Sequence, residues 1–332
     1  MRPSGNTPPA NVGQFVLNLL LKGFDALYLG YYGQVPKIVY AAFAERGYEI
    51  TISEMDFRIK QTPRGPYRVV LENEFLTISL GNCVWSPNSP SVYVQVKSAF
   101  IHSSGIEAAH AQVLSVVSRI YDGPPQREQV SRVDPFVDIA WSKRFFTGDV
   151  GKFVTRAKDT DTRNHAGKVC GFIFGKGKIM ARIYDKTLEL RKSGKDWLYE
   201  LWGVSQGTQV WRVEFQLRRE ALKELRIETF DDLMAHSQAL WNYCVNDWLR
   251  VRATGQQKAR RDLIKFWEIV QAAKLGADDA KLIKREKMRS GMTEKQIFDQ
   301  MAGLTRYYAR IRGIENLSQA LRELIPYIRK AF

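Results

Sequence analysis

Two patterns of apolar and polar residues follow one another along the chain. Short strand-like runs mixed with a few helical stretches extend from about residue 20 to 225, and helical spacing continues from about 229 to 332. The pattern predicts an α+β fold, in which a largely antiparallel sheet with packing helices is followed by an all-helical C-terminal region. The predicted strands are 24–32, 67–71, 75–80, 91–96, 130–140, 169–174, 179–186 and 210–217, and the first helices are 36–47 and 105–120.

The helical C-terminal region has a clear predicted beginning. Thr229 is a good N-cap with Asp231 and Asp232 in the first turn, and further helices are predicted over about 260–274, 279–288, 293–308 and 315–330. We therefore divide the chain into a flexible leader (1–19), a catalytic α+β domain (20–225) and a basic helical region (226–332).

The charge of the chain favours a polyanionic partner. The formal net charge is +15 at pH 7, and residues 251–332 contain 18 Lys and Arg against 9 Asp and Glu. Such a surplus is typical of nucleic-acid binding, so the helical region is the expected duplex-binding surface. The alternative is an ordinary solvated helix face. The candidate DNA contacts in this region are Lys284, Arg285, Lys287 and Arg289.

Several classes of protein are disfavoured by what the sequence lacks. Its three cysteines, Cys83, Cys170 and Cys244, form no CxxC pair, which fits a reducing cytoplasm better than a disulfide framework or a zinc site. The apolar run from Phe15 to Leu21 is interrupted by Asn18 and is too short to span a membrane. No GxxxxGK[ST] loop and no His-x-His pair are present, so neither NTP hydrolysis nor a histidine metal site is expected.

One predicted strand carries unusual carboxylates. In the segment SRVDPFVDI (131–139), alternation places Arg132, Asp134, Phe136 and Asp138 on the face opposite the apolar residues. Pro135 interrupts this run, and proline inside a strand requires an edge or a bulge.

Two later strands carry matching polar faces. Arg182, Tyr184 and Lys186 share one face of IMARIYDK (179–186). The strand WRVEFQLR (211–218) presents its polar residues on one face, namely Arg212, Glu214, Gln216 and Arg218. If the three strands are neighbours in one sheet, a tyrosine, three carboxylates and several cations lie together.

This set of groups suits phosphoryl transfer. A tyrosine oxygen is a nucleophile that can break a phosphodiester bond without water, and nearby cations favour its phenolate form. Carboxylate oxygens suit Mg²⁺ or Mn²⁺, which polarises a phosphate. Each residue alone has an ordinary alternative: a half-buried strand tyrosine, surface or capping aspartates, and a structural Glu214 ion pair. Their shared facing is what makes a metal-assisted site as plausible as those alternatives.

Three segments resemble a known family. SRVDPFVDI, ARIYDKTLELRK and WRVEFQLRRE resemble, in order and spacing, the "sRiDlavD", "RiYdKxxE" and "wRvEiqlr" blocks of the replication initiation factor (Rep_trans) family, across roughly residues 20 to 225. That family includes rolling-circle initiators of small plasmids, relaxases of conjugative elements and replication proteins of some filamentous phages.

The resemblance implies a metal-dependent enzyme that nicks and rejoins one DNA strand at an origin. It implies Tyr184 as the nucleophile, linked to the 5′-phosphate, with Lys186 and Arg182 steadying the phosphate. It implies Asp138, Glu214 and Asp134 as ligands of Mg²⁺ or Mn²⁺, and it places an acidic residue at Glu189. The expected DNA contacts on the sheet are Arg132, Arg212 and Arg218.

The same resemblance implies partners in a bacterial cytoplasm. They are double-stranded origin DNA with an extruded or melted single strand, a host helicase and polymerase, and a second copy in a homodimer. Two alternatives remain open at this point: a conjugative relaxase with the same chemistry, and a DNA-binding regulator without catalysis.

Overall fold

The computed structural model describes residues 17–45, 49–60, 67–81, 89–253, 262–276, 285 and 294–330. They fall into two compact units, Met1–Arg285 and Glu286–Phe332. Residues 1–16 of the predicted leader lie outside the described residues, and the first strand begins at Leu17.

The first unit is built on a large sheet. Eleven strands pair antiparallel in the order β2-β3-β4-β5-β6-β1-β7-β12-β11-β10-β9, and β8 pairs with β13 separately. The sheet strands are β1 (Leu17–Tyr32), β2 (Glu49–Ile52), β3 (Met55–Lys60), β4 (Val69–Glu72), β5 (Leu76–Leu80), β6 (Val92–Val96), β7 (Arg127–Trp141), β9 (Thr160–His165), β10 (Lys168–Phe174), β11 (Ile179–Asp185) and β12 (Val210–Arg218). The separate pair is β8 (Phe153–Thr155) and β13 (Leu249–Val251).

Ten α-helices occur among the described residues. Those of the first unit are α1 (Lys37–Glu45), α2 (Ser98–Ser104), α3 (Ile106–Tyr121), α4 (Lys186–Ser193), α5 (Leu198–Trp202), α6 (Arg219–Glu224), α7 (Phe230–Asn242) and α8 (Lys265–Ala272). Those of the second unit are α9 (Glu294–Arg312) and α10 (Leu317–Lys330). The predicted α+β class, with a largely antiparallel sheet, is therefore confirmed. The helix predicted over 279–288 lies almost wholly outside the described residues.

The main core lies on the face of the sheet opposite the polar residues identified above. Val133 and Val137 of β7 and Val213 and Phe215 of β12 are fully buried in it. The apolar residues that predicted α3 are also buried, because helical spacing gathers them on one side. A smaller cluster of Leu190, Leu198, Trp202 and Val210 contains residues of α4 and α5.

The helix predicted to begin after Thr229 does begin there, and both it (α7) and α8 belong to the first unit. The Thr229 side chain accepts the Asp232 N–H at 3.1 Å, which forms the N-cap of α7. Trp241 of α7 and Trp267 of α8 are fully buried in the main core. The two compact units meet at residue 285, and the predicted catalytic and DNA-binding domains, 20–225 and 226–332, stay predictions.

Two expectations concern membranes and thiols. Among the residues that the structure describes, no helix is both long and apolar enough to cross a bilayer. Cys170 and Cys244 are free thiols, and Cys83 lies outside the described residues.

Candidate active site

The three polar strands are neighbours. In the order β7-β12-β11, Arg212 of β12 lies opposite Asp138 on one side and Tyr184 on the other, and Glu214 lies opposite Arg182. Opposed residues in antiparallel strands point to the same face. The polar face predicted from alternation therefore exists, and it includes a tyrosine, carboxylates and guanidinium groups.

Pro135 is accommodated by an irregular register. It lies opposite Phe24 of β1, next to a register shift between Phe24 and Ala26. A bulge leaves one residue without a ladder hydrogen bond. Proline, which has no N–H to donate, is tolerated at such a position, so β7 can stay in the interior of the sheet.

Tyr184 is hydrogen-bonded to a carboxylate. Its phenol O–H donates to Oε2 of Glu214 at 3.0 Å, and the side chain is half-buried. Burial first, and the negative charge of Glu214 second, raise the pKa of Tyr184 well above its usual value. The phenol is therefore protonated at neutral pH, and Glu214 is the acceptor nearest to its proton.

Gly171 of β10 allows this tyrosine to lie close to the neighbouring strand. The two residues face one another, and a Cβ at position 171 would lie 2.9 Å from Cβ of Tyr184 and 3.0 Å from the Ile183 carbonyl oxygen. The sequence interpretation missed this residue, although a glycine inside an apolar strand is a known signal of close backbone approach.

Gly171→Ala should therefore displace Tyr184. Because the added methyl contacts backbone as well as side chain, we expect a loss of about 1–3 kcal/mol in unfolding free energy, together with lower activity. Urea unfolding measures the first effect, and the DNA-nicking assay described below measures the second. Gly207→Ala, where an added Cβ meets nothing within 4 Å, is the control. Equal behaviour of the two variants would contradict the role of Gly171.

Arg182 joins two carboxylates of the site. It forms an ion pair with Glu214, and its Nη2 lies 3.6 Å from Oδ2 of Asp134. Arg132 donates to Asp134 through Nε at 2.8 Å and lies over the ring of Tyr28 at 4.8 Å. Burial raises the pKa of Asp134 to about 6. The hydrogen bond from Arg132 lowers this pKa, and the nearby negative charge of Glu214 raises it.

Asp138 is placed differently from the other two carboxylates. Nε and Nη2 of Arg212 donate to its two oxygens at 2.6 and 2.7 Å, and Trp202 Nε1 donates to it at 2.8 Å. Asp138 and Arg212 are both fully buried. The oxygens of all three expected metal ligands are paired, but Asp138, unlike Asp134 and Glu214, does not line the cleft described below. The expected contact of Arg212 with DNA is contradicted, because no part of its side chain reaches the surface.

Arg212 has a second partner that sequence interpretation missed. Its Nη1 donates to Oδ1 of Asp25 on β1 at 2.6 Å, and His102 Nε2 lies 3.4 Å from the same oxygen. Burial alone would raise the pKa of Asp25, but Arg212 and the hydrogen bond with His102 outweigh it and hold the pKa well below its usual range. The sequence did contain one signal for this contact, because Asp25 is the single acidic residue within the largely apolar strand β1.

Alternation predicted that β11 extends through Lys186, but Lys186 does not belong to the strand. The strand ends at Asp185, whose side chain accepts the Leu188 N–H at 3.0 Å and caps α4. Lys186, in the first turn of this helix, is buried and pairs with Glu189 at 2.5 Å. Its Nζ remains 5.7 Å from the Tyr184 ring centroid, so it contributes positive charge near the phenol. Glu189 is thus a partner for Lys186.

A cleft of about 470 Å³ opens over these residues. Three cations that line the cleft were not among the predicted site residues, namely Arg163, Lys192 and Lys195. The cations around it are Arg132, Arg163, Arg182, Lys186, Lys192 and Lys195, and the acids are Asp25, Asp134, Asp185, Glu189 and Glu214.

The remaining candidate DNA contacts lie away from the cleft or outside the described residues. Arg218 is exposed at the end of β12. Arg285 pairs with Glu224 at 2.5 Å. Lys284, Lys287 and Arg289 lie outside the described residues, so their role stays a prediction.

The carboxylates fit a divalent cation only in part. Within the described ranges, no group of three or more His, Cys, Asp and Glu side chains is arranged to hold a metal ion. Asp134 and Glu214 both line the cleft and offer hard oxygen ligands, whereas Asp138 does not line it. A cation could therefore draw on two of the three predicted ligands.

Known proteins are similar to this chain in structure rather than in sequence. No family model matches the chain, and no curated protein matches it. Among solved structures, the chain is similar to one described as the structure of a rolling circle replication initiator protein from Geobacillus stearothermophilus. The identity is 16% and the TM-score is 0.45, over 82% of this chain and 100% of that chain.

Proposed function

We propose that this protein is a replication initiator that cuts and rejoins one strand of DNA, with Tyr184 as the nucleophile. The observation that carries the proposal is the hydrogen bond from the Tyr184 phenol to Glu214 inside an open cleft whose lining includes six cationic and five acidic side chains. A buried or structural tyrosine does not require an open cleft, a proton acceptor and positive charges around its hydroxyl. A strand-transfer nucleophile requires all three.

The first chemical step balances with residues of the site. The phenol proton passes to Oε2 of Glu214, and the phenol oxygen forms a bond to the scissile phosphorus. The bond from phosphorus to the 3′-oxygen breaks, and that oxygen takes up a proton from solvent water and leaves as a 3′-hydroxyl. The product is a 5′-phosphotyrosine, and the reverse sequence rejoins the strand without ATP.

The cations around the cleft offset the charge of the phosphate. Arg182 and Arg132 are each held in place by Asp134, so their guanidinium groups do not have to be ordered when DNA binds. Lys186 adds positive charge 5.7 Å from the centroid of the Tyr184 ring. The fixed positions of these groups favour the transition state, in which the phenol oxygen and the phosphate share negative charge.

Asp134 and Glu214 would hold the Mg²⁺ or Mn²⁺ ion that the family resemblance implies. When bound, such an ion polarises the scissile phosphate. Binding the ion requires ionised carboxylates, and because burial raises the pKa of Asp134 to about 6, the ion would compete with a proton for this ligand in mildly acidic solution.

Origin DNA with a melted or extruded single strand is the proposed substrate. The free 3′-hydroxyl would prime a host polymerase, and a host helicase would separate the strands. The site of action is the bacterial cytoplasm.

The test is a nicking assay on supercoiled DNA that carries the origin of the genetic element encoding the protein. Purified protein is incubated with Mg²⁺ or Mn²⁺, and nicked circles bound to protein are scored. We expect Glu214→Gln to slow adduct formation about 10²–10⁴-fold, because an amide cannot accept the phenol proton. Glu220→Gln, at an exposed position on α6, is the matched control.

Two results would contradict the proposal. One is the absence of any protein-bound nick with the unaltered chain on its own origin. The other is a Glu214→Gln variant as fast as Glu220→Gln, which would remove Glu214 from the proton transfer.

A further inference from the structure

Three tyrosines lie on the sheet face that carries the candidate active site, beyond the end of the cleft. Tyr28 of β1 lies opposite Arg132 of β7, which lines the cleft, so the two side chains share a face. Tyr28 also lies opposite Gln95 of β6, which places Tyr93, two residues earlier on that strand, on the same face. Tyr67 precedes β4, and its ring stacks on that of Tyr93. We call Tyr28, Tyr67 and Tyr93 the tyrosine platform.

The rings of the platform contact one another. The ring centroids of Tyr67 and Tyr93 are 5.9 Å apart with 28° between the ring planes, and Tyr28 meets Tyr93 edge-on at 6.1 Å. All three side chains are half-buried, so each ring rests on the sheet while part of it stays at the surface. Because a tyrosine side chain has few rotatable bonds, such a surface binds a flat ligand at a low cost in side-chain entropy.

The platform is continuous with the cleft through Arg132. The guanidinium carbon of Arg132 lies 4.8 Å from the Tyr28 ring centroid. Its Nε donates at 2.8 Å to Asp134, which lines the same cleft as Tyr184. A DNA strand whose phosphate lies at Tyr184 can therefore leave the cleft past Arg132 and reach the ring of Tyr28, with a cation beside its backbone.

The charges and rings together suit a single strand of DNA. Arg68, which follows Tyr67 in the chain, is exposed, and the carboxylate of Glu72 on β4 pairs with both Lys60 and Lys97. Proteins that bind single strands combine cations with aromatic rings on which bases stack, and aromatic residues on the strands of a sheet are a known form of this surface. In a duplex the flat faces of the bases are covered by neighbouring base pairs, so only a single strand presents them.

We propose that the tyrosine platform stacks the bases of the single DNA strand whose scissile phosphate lies at Tyr184. The inference rests on the proposed nicking function, and it adds the part of the protein that holds the strand beyond the cleft. Stacking accepts any base, because every base has a π-face, so the platform positions the strand without reading its sequence.

Equilibrium binding, measured by fluorescence anisotropy, tests the platform without the chemistry. The probe is a labelled oligothymidylate of about 20 nucleotides, longer than the roughly 4–16 nucleotides that one single-strand site covers. We expect Tyr28→Leu and Tyr93→Leu each to weaken its binding to the full chain on the order of tenfold, because leucine keeps apolar volume but has no flat ring. Tyr28→Phe keeps the ring and should bind within about twofold of the unaltered chain. Tyr307→Leu, at an exposed tyrosine of α9, is the matched control and should not change binding.

A strand of the same length without bases gives the sharpest comparison, because it keeps every phosphate. The unaltered chain should bind this abasic strand at least about tenfold more weakly than oligothymidylate, and Tyr93→Leu should cause no further loss on it. Equal binding of the two strands by the unaltered chain, a measurement that needs no variant to fold, would overturn the proposal. So would a Tyr93→Leu variant with unchanged circular dichroism that loses the same affinity for both strands.

The remaining outcomes separate the platform from the nicking function. A proline-rich peptide also docks on aromatic-lined grooves, and if the two leucine substitutions weaken its binding but not that of oligothymidylate, the platform binds a protein and the proposal is wrong. A chain that nicks its origin but does not distinguish the two strands refutes the platform alone. A chain that distinguishes them through Tyr28 and Tyr93 but forms no covalent adduct refutes the role of Tyr184 and supports base stacking.

Discussion

Replacing Tyr184 with phenylalanine should abolish the covalent protein–DNA adduct while sparing DNA binding. Phenylalanine keeps the ring that faces Gly171 but lacks the oxygen that forms the phosphotyrosine bond. Loss of a nucleophile commonly costs many orders of magnitude, and we expect a decrease in nicking on the order of 10⁴-fold or more. A gel that retains covalently bound protein measures the adduct, and a filter-binding assay measures DNA affinity.

The control for this substitution is Tyr199→Phe. Tyr199 is also half-buried and packs edge-on against Trp202, but it does not line the cleft. It should nick at the unaltered rate. If Tyr184→Phe still forms an adduct, another side chain is the nucleophile, and the proposed role of Tyr184 is wrong.

Replacing Arg212 with leucine should cause a large loss of stability. The guanidinium is fully buried between Asp138 and Asp25, and removing it leaves two carboxylates without their main countercharge. Breaking a buried ion pair from one side costs about 3–5 kcal/mol. We expect a loss of that size in the unfolding free energy, measured by urea denaturation monitored by circular dichroism.

Two comparisons show whether that cost comes from the buried charge. Arg218→Leu, at the exposed end of the same strand, should change the unfolding free energy by less than about 0.5 kcal/mol. Asp138→Asn in the Arg212→Leu background should recover part of the loss, because it removes one uncompensated charge. A double variant no more stable than Arg212→Leu would show that lost packing, not charge, dominates.

Alternation along single strands was sufficient to predict the polar face. Tyr184 and Arg182 share a side of β11 because every second residue does, and the same rule places Glu214 on β12. The end of β11 could also have been predicted from the sequence, although alternation extended the predicted strand to residue 186. Asp185 and Gly194, as N-cap and left-handed C-cap, bracket α4 in the sequence.

Pairing between distant segments could not be predicted in the same way. Asp25 and Arg212 are 187 residues apart, and nothing local to either indicates the other. Asp138 was expected in the metal site because it lies on the right face. The face rule does not say which neighbour a carboxylate meets, and Asp138 meets Arg212 and Trp202. The ligand candidates therefore needed the register between strands, which only the folded chain supplies.

The order of strands has a consequence for synthesis on the ribosome. β12 is the last strand of the large sheet to be made, yet it lies between β7 and β11. Until Val210–Arg218 has left the ribosome, the β9–β11 hairpins have no partner through which to join the strands made earlier. Such long-range pairing is slow, so the nascent chain holds two unpaired strand edges during this interval. Glu214 arrives with the strand that closes the sheet, and the phenol therefore has no proton acceptor until closure.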